Sequence, residues 1–159
     1  MNQTTNTVKQ IKNWFEQAMP APTVDNQRVQ VGVHFEEVAE MIEVLGYKDN
    51  PDQHRMLFET SHKVMTRFAT TLKTNKEDAL VTTDRLEMLD ALCDQIVTAI
   101  GSAHTFGFDI LGALQEVANS NDSKYVDGKP VWNEHGKIAK GPNYFRANLA
   151  PFVGVDPTI

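Results

Sequence analysis

Five segments with helical periodicity follow one another along the chain, and helix-breaking residues separate them. Apolar residues within each segment recur at spacings of three and four, which indicates α-helices with an apolar face. Pro20 ends the first segment, Gly46 is expected to cap the second, and Asp109 is expected to begin the fifth. The expected helices cover about 7–19, 26–45, 51–73, 84–106 and 109–119. Strand patterns are nearly absent, so the sequence predicts an all-α fold, an antiparallel helical bundle.

The segment after Ser120 is rich in Gly, Pro, Asn and Lys and has no sustained period. Its stretch DGKPVWNEHGKI fits a short hairpin with a turn at 133–136. The remainder is expected to pack as an ordered arm, because Trp132, Tyr144 and Phe145 are costly to expose. A chain of 159 residues is most simply one domain. We therefore expect a single domain over 1–159, with a bundle at about 7–120 and an arm at about 121–159.

Composition excludes several classes of function. The formal net charge is -6 and no run of Lys or Arg could follow a phosphate backbone, which argues against nucleic-acid binding. No stretch reaches the roughly 20 apolar residues of a membrane span, and the polar start MNQTTNTVKQ is not a secretory signal. The single cysteine, Cys93, excludes an internal disulfide. These features predict a cytoplasmic protein that binds neither nucleic acid nor membranes.

The stretch HFEEVAEM places three glutamates, Glu36, Glu37 and Glu40, on two turns of the second helix. A solvated acidic face and a cation site both explain such crowding. Like charges at helical spacing repel each other, and no Lys or Arg occurs from Val29 to Tyr47 to relieve them. That absence argues for a cation site, whereas the helical spacing alone favours a solvated face, because the main apolar stripe lies on the opposite side of the helix.

A second acidic cluster lies on the fourth helix. Glu87, Asp90 and Asp94 follow one another at spacings of three and four, so they share a face. They border an apolar stripe that is expected to pack in the core and consists of Leu86, Leu89, Cys93, Ile96, Val97 and Ile100. Carboxylates beside a core stripe are costly unless they are paired or bind a cation.

Two helices that present only carboxylate oxygens fit a hard cation, with Mg2+ as the leading candidate and Mn2+ as a substitute. Magnesium commonly completes its shell with water and substrate phosphate oxygens. Bound cations would also explain how an acidic protein could bind an anionic substrate, and a glutamate outside the metal shell could orient the attacking water.

These motifs resemble the all-α nucleoside triphosphate pyrophosphohydrolases, a group that includes MazG-like proteins, phosphoribosyl-ATP pyrophosphohydrolases and dimeric dUTPases. EEVAE at 36–40 fits the EExxE signature of the group, and LDALCDQIVTAIGSAHTFGFD resembles its second acidic helix. The tail stretches NSNDSK and GKIAKGPNY resemble the C-terminal segment of phage and bacterial members. Ala91 stands where the group usually has a glutamate, so the second ligand pair is either Glu87 with Asp90 or Asp90 with Asp94.

The resemblance implies a MazG-like fold and hydrolysis of (deoxy)nucleoside triphosphates between the α and β phosphates, which serves nucleotide-pool control. It implies that the arm covers the substrate. The implied metal ligands are Glu37, Glu40, Asp90 and Asp94. Glu36 and Glu37 are implied as catalytic residues, with Glu36 either a further ligand or a residue that positions water. The implied phosphate contacts are Asn121 and Lys124, with Lys137 and Lys140 as further candidates.

Three points stay open on the sequence alone. The preferred base could be a pyrimidine, as in dUTP or dCTP, or a purine, as in dATP or dGTP. The helices offer more apolar surface than one small domain needs, which predicts a homo-oligomer, either a dimer or a tetramer. The alternative function is a non-catalytic helical module for oligomerisation or regulation, in which the acidic clusters are structural.

Overall fold

The computed structural model describes residues 3–47, 51–132 and 138–155, and this part of the chain is all-α. The predicted fold class is confirmed: the described residues contain no strand, only two isolated antiparallel bridges. The elements are α1 (Gln3–Ala18), α2 (Val24–Glu43), α3 (Pro51–Thr74), α4 (Arg85–Thr105), α5 (Ile110–Asp122) and a short 3₁₀ turn (Ala150–Phe152).

Local capping explains where the helices begin and end. The Thr23 side chain accepts a hydrogen bond from the Asn26 amide, and the Thr23 amide donates one to Asn26 Oδ1 at 2.9 Å, which fixes the start of α2. Asp84 and Asp109 cap α4 and α5, as their positions predict. The predicted cap at Gly46 is wrong, because α2 ends earlier, at Glu43, with Val44 as its C-cap.

Residues 21–83 form one of two compact units, and its helices α2 and α3 pack as an antiparallel hairpin. Arg28, only 4% exposed, donates to the Leu72 carbonyl and to the Asp25 carboxylate at 3.0 Å. Gly32 lets the helices approach closely, since a Cβ at this position would lie 2.9 Å from the Ala69 carbonyl oxygen. The hairpin register is therefore fixed by a buried arginine and a glycine.

Residues 1–20 and 84–159 make up the second unit, in which α1 packs beside α5. The two helices run in the same direction, because Thr7 bonds to Gln115 while Gln10, further along α1, bonds to Asp122 at 2.7 Å. The connection between them in the sequence contains α2, α3 and α4.

The arm returns along α5 through specific backbone contacts. Ser120 Oγ donates to the Phe145 carbonyl at 2.8 Å, and the Phe145 amide donates to Ser123 Oγ at 3.1 Å. Further along, the Asn148 amide donates to Glu116. The part of the arm within 138–155 is thus tied to the helix that carries Asn121.

The arm also contains two tight antiparallel contacts. Val126 pairs with Lys129 across Asp127 and Gly128, whose φ angles of 51° and 71° are those of a two-residue hairpin turn. The Asp-Gly pair is a sequence signal for this turn. Trp132 pairs with Ile138, as the predicted hairpin requires, whereas its turn at 133–136 lies outside the described residues.

The apolar stripe of α4 departs from the prediction. Every residue from 81 to 102 is exposed, with Leu86 at 73%, Ile96 at 62% and Val97 at 64%. Cys93 is exposed as well, so the expectation that the stripe packs in the core is wrong for the single chain. Within its own unit α4 contacts α5, and Ala103 is the one buried residue of the helix.

No single helix among the described residues is long and apolar enough to cross a membrane; α4 and α5 reach that length and composition only as a pair bent by 120°.

Candidate functional site

The glutamates of α2 differ in their surroundings. Glu36 is half-buried on the side of the helix that faces α3, whereas the side chains of Glu37 and Glu40 are exposed. Glu43, one turn beyond Glu40, is also exposed, and its Oε2 lies 4.0 Å from Nε2 of His62 in α3. The sequence therefore places four carboxylates on two turns. Packing against α3 half-buries Glu36, whereas the other three glutamates are exposed.

Lys73, in the last turn of α3, forms an ion pair with Glu36. Its side chain is 18% exposed, and its stem passes over Gly32, one turn before Glu36 on α2. The sequence did not predict this cation, because Lys73 lies outside the stretch from Val29 to Tyr47 and meets Glu36 only through helix packing. Antiparallel pairing of the predicted helices, with Lys73 at the end of α3, is the signal that could have identified it.

The carboxylates of α4 belong to the other compact unit. Glu87, Asp90 and Asp94 are all exposed, and the Glu87 amide is held by the N-cap Asp84 at 3.1 Å. Asp90 and Asp94 lie one turn apart on the same face. These side chains are exposed like every residue from 81 to 102, so their exposure does not distinguish between the two possible ligand pairs.

The donor chemistry of these positions suits a hard divalent cation. Glu37, Glu40, Asp90 and Asp94 offer carboxylate oxygens, which Mg2+ prefers, and their side chains are accessible. Within residues 3–47, 51–132 and 138–155, however, no three Asp, Glu, His or Cys side chains are grouped closely enough to hold a metal ion. The residue types therefore fit magnesium, while neither the α2 glutamates nor the α4 carboxylates form such a group by themselves.

The two phosphate-contact candidates at the end of α5 do lie together. Lys124 Nζ donates to Asn121 Oδ1 at 2.7 Å and lies 5.9 Å from the centre of the Trp14 ring. Trp14 Nε1 in turn donates to the Asn121 carbonyl at 3.0 Å. An indole ring beneath an ammonium group attracts it through the ring quadrupole, so α1 and Asn121 together hold this lysine in place.

Tyr125 completes the cluster. Its ring stacks on Trp14 with centroids 5.7 Å apart, and its hydroxyl donates to the Trp14 carbonyl at 2.7 Å. Burial raises the pKa of this hydroxyl, and the nearby Asp122 carboxylate raises it further. The sequence did not predict that Trp14 contacts both Lys124 and Tyr125, because these contacts join α1 to residues more than 100 positions away.

The two remaining lysine candidates belong to the arm. Lys140 is exposed, and its Nζ lies 4.7 Å from the centre of the Tyr144 ring. Lys137 lies outside the described residues. Neither position adds a described contact to the Asn121–Lys124 pair.

Comparison of the chain with protein-family models, with curated proteins and with solved structures finds no match.

Proposed function

We propose that this protein is a Mg2+-dependent pyrophosphohydrolase of nucleoside triphosphates, which acts in the cytoplasm in nucleotide-pool control. The observation that carries the proposal is the accessibility of two carboxylate pairs, Glu37 with Glu40 and Asp90 with Asp94, each on one face of a helix. Their oxygen-only chemistry suits a cation that bridges an acidic protein and an anionic substrate. The products are a nucleoside monophosphate and pyrophosphate.

Magnesium, when bound, would polarise the phosphate oxygens and lower the pKa of a coordinated water. The proposed ligands are Glu37, Glu40, Asp90 and Asp94, with Mn2+ as a substitute metal. Glu36 and Glu37 would orient the attacking water or accept its proton.

Asn121 and Lys124 are proposed to contact the substrate phosphates. An ammonium that is already held at 2.7 Å from an amide oxygen loses less side-chain entropy when an anion binds. Lys137 and Lys140 are further candidates for this contact as parts of the arm, which is proposed to cover the substrate.

The decisive test is a panel of nucleoside triphosphates with the products identified, because it determines the substrate and the cleaved bond together. E40Q and D94N should each lower pyrophosphate release by at least about a hundredfold, as expected when a metal ligand is lost. E16Q, which changes an exposed glutamate of α1, is the matched control and should retain activity. Unchanged pyrophosphate release in both ligand variants would refute the proposal.

The panel also decides between pyrimidine and purine substrates. A pyrimidine enzyme should prefer dUTP or dCTP, and a purine enzyme dATP or dGTP, by the ratio of their kcat/KM values.

We also propose a homo-oligomer, a dimer or a tetramer, in which a second copy covers the apolar face of α4. A contiguous row of exposed Leu, Ile and Val side chains marks an association surface more often than a free one. Light scattering should therefore give a mass above that of one chain. I96E should dissociate the oligomer, whereas T98E, across the helix from the stripe, should not. A wild-type monomer at micromolar concentration would contradict this proposal.

The exposed α4 stripe also favours a second candidate function, a non-catalytic module for oligomerisation or regulation. In this case the acidic clusters would have only a structural role. Calorimetry distinguishes the candidates, because the module should not bind Mg2+ or Mn2+ stoichiometrically, whereas the proposed enzyme should.

A further inference from the structure

Two helices carry exposed apolar faces with the same spacing. On each helix, three exposed residues follow one another at intervals of seven and four, which keeps their side chains on one side of the helix. They are Leu86, Cys93 and Val97 of α4, and Leu57, Val64 and Phe68 of α3. The α3 residues are 60%, 56% and 46% exposed, whereas Ala69, which packs against α2, is buried. The α2–α3 hairpin therefore leaves this face of α3 exposed.

Charged residues line one edge of each face. Asp90 and Asp94 lie beside the α4 face, and their side chains are exposed. Lys63 and Arg67 lie beside the α3 face and are exposed as well. Within the part of the chain that the structure describes, none of the four forms an ion pair. The two edges thus present opposite charges at the same spacing of four residues.

We infer that the exposed face of α3 in a second copy of this chain covers the apolar face of α4, with the two helices parallel. The inference rests on the proposed homo-oligomer, not on the proposed hydrolysis. A second α4 is the weaker partner, because α4 has no Lys or Arg from Leu86 to His104 to meet its own acidic edge. Viewed from the N-terminus, the acidic and basic edges lie on opposite sides of their faces, so they meet only between parallel helices.

The parallel arrangement aligns the apolar residues and the charges together. When Val64 is level with Cys93, the other two residues of the α3 face are level with the other two of α4, because the intervals are the same. Lys63 and Arg67 then each lie two residues along the axis from an aspartate of α4, which is about 3 Å. Lysine and arginine side chains span this distance, so both ion pairs can form while the apolar faces pack.

Disulfide trapping tests the contact, because Cys93 is the one cysteine of the chain and lies on the proposed interface. On mild oxidation V64C should give a covalent dimer in which peptide mapping finds residue 64 of one chain joined to residue 93 of the other. T66C, at an exposed position on the opposite side of α3, is the matched control and should stay unlinked. Wild type and V64C/C93S should stay unlinked too, because neither cysteine faces its own copy in the proposed contact.

Other products of oxidation contradict the inference. A wild-type dimer linked through two Cys93 residues would mean that a second α4 covers the stripe. A linked V64C/C93S dimer would place two α3 helices together. A 64–93 disulfide at the mass of one chain would exclude a second copy as the occupant, and so would an oligomeric V64C that forms no disulfide.

Charge reversal tests the two edges independently of the cysteine. K63E/R67E and D90K/D94K should each raise the dissociation constant of the oligomer by about tenfold, because each brings like charges together at two positions. The variant with all four substitutions restores opposite charges and should return the dissociation constant to within about threefold of the wild-type value. Analytical ultracentrifugation measures the dissociation constants, and far-ultraviolet circular dichroism confirms that each variant is helical.

The outcomes separate this inference from the proposal on which it rests. A wild-type monomer contradicts both the homo-oligomer and the inference. An oligomer that tolerates both reversals, or a fourfold variant that stays dissociated, refutes only the inference. K9E/K12E makes the same change of charge as K63E/R67E at exposed positions of α1, so an equally large effect there would assign the loss to net charge and refute the inference as well.

Discussion

Replacement of Gly32 by alanine tests the close packing of α2 on α3. The new Cβ would lie 2.7 Å from Lys73 Cγ, 2.9 Å from the Ala69 carbonyl oxygen and 3.1 Å from Leu72 Cβ. The lysine stem can move aside, but the backbone carbonyl of Ala69 cannot do so without shifting α3. The two helices must therefore separate or bend at this point.

Two opposing terms set the magnitude. Alanine in place of a helical glycine stabilises a helix by about 1 kcal/mol. Overpacking at a tight contact costs about 1–3 kcal/mol. Because the new Cβ would lie closer than van der Waals contact to three heavy atoms, we expect a cost near the upper end of this range. We therefore expect G32A to lower the free energy of unfolding by about 1–2 kcal/mol.

The matched control is G101A. Gly101 also lies within a helix, α4, but a Cβ there would meet no atom within 4 Å. G101A should therefore show only the gain in helix propensity, about 1 kcal/mol. Urea unfolding followed by far-ultraviolet circular dichroism, at one protein concentration, measures both variants. A G32A protein as stable as the wild type would show that the helices do not approach this closely.

Three further changes probe the helix caps and the Trp14 cluster. D84A removes the acceptor of two amides at the start of α4, so thermal unfolding should show a loss of about 1 kcal/mol, which D84N should largely restore. W14F keeps a ring beneath the lysine but loses the donor to the Asn121 carbonyl, so stability should fall by about 1 kcal/mol while packing with Tyr125 is retained. Because burial and Asp122 raise the pKa of Tyr125, its neutral hydroxyl contributes stability that is fully present below the unfolded pKa of about 10 and is lost as pH rises through the folded pKa. The free energy of unfolding should therefore fall less steeply with rising pH above about 10 in Y125F than in the wild type. Equal slopes would contradict the raised pKa of Tyr125.

Much of the secondary structure could be predicted because helix ends depend on neighbours only a few residues away. Asp84 and Asp109 cap the helices that follow them, and Pro51 begins α3. Gly46 was misassigned because a glycine near a helix end is only one of several ways to terminate it, and here the chain leaves α2 at Val44.

The candidate site could be predicted in its residue types but not in its contacts. The spacing of Glu36, Glu37 and Glu40 follows from the sequence, whereas the capture of Glu36 by Lys73 joins positions 37 residues apart. Such a contact depends on the register of one helix against another, which no local pattern encodes. The metal ligands and the phosphate contacts stay predictions.

The sequence by itself determined the all-α class, the order of the five helices and the positions of the carboxylates along them. These features follow from periodicity and capping within single segments. Only the tertiary structure decided that α1 runs parallel to α5, that Lys73 covers Glu36 and that the α4 stripe is exposed in the single chain. Each of these depends on which apolar face finds a partner, and an amphipathic helix specifies that it needs a partner without specifying which one.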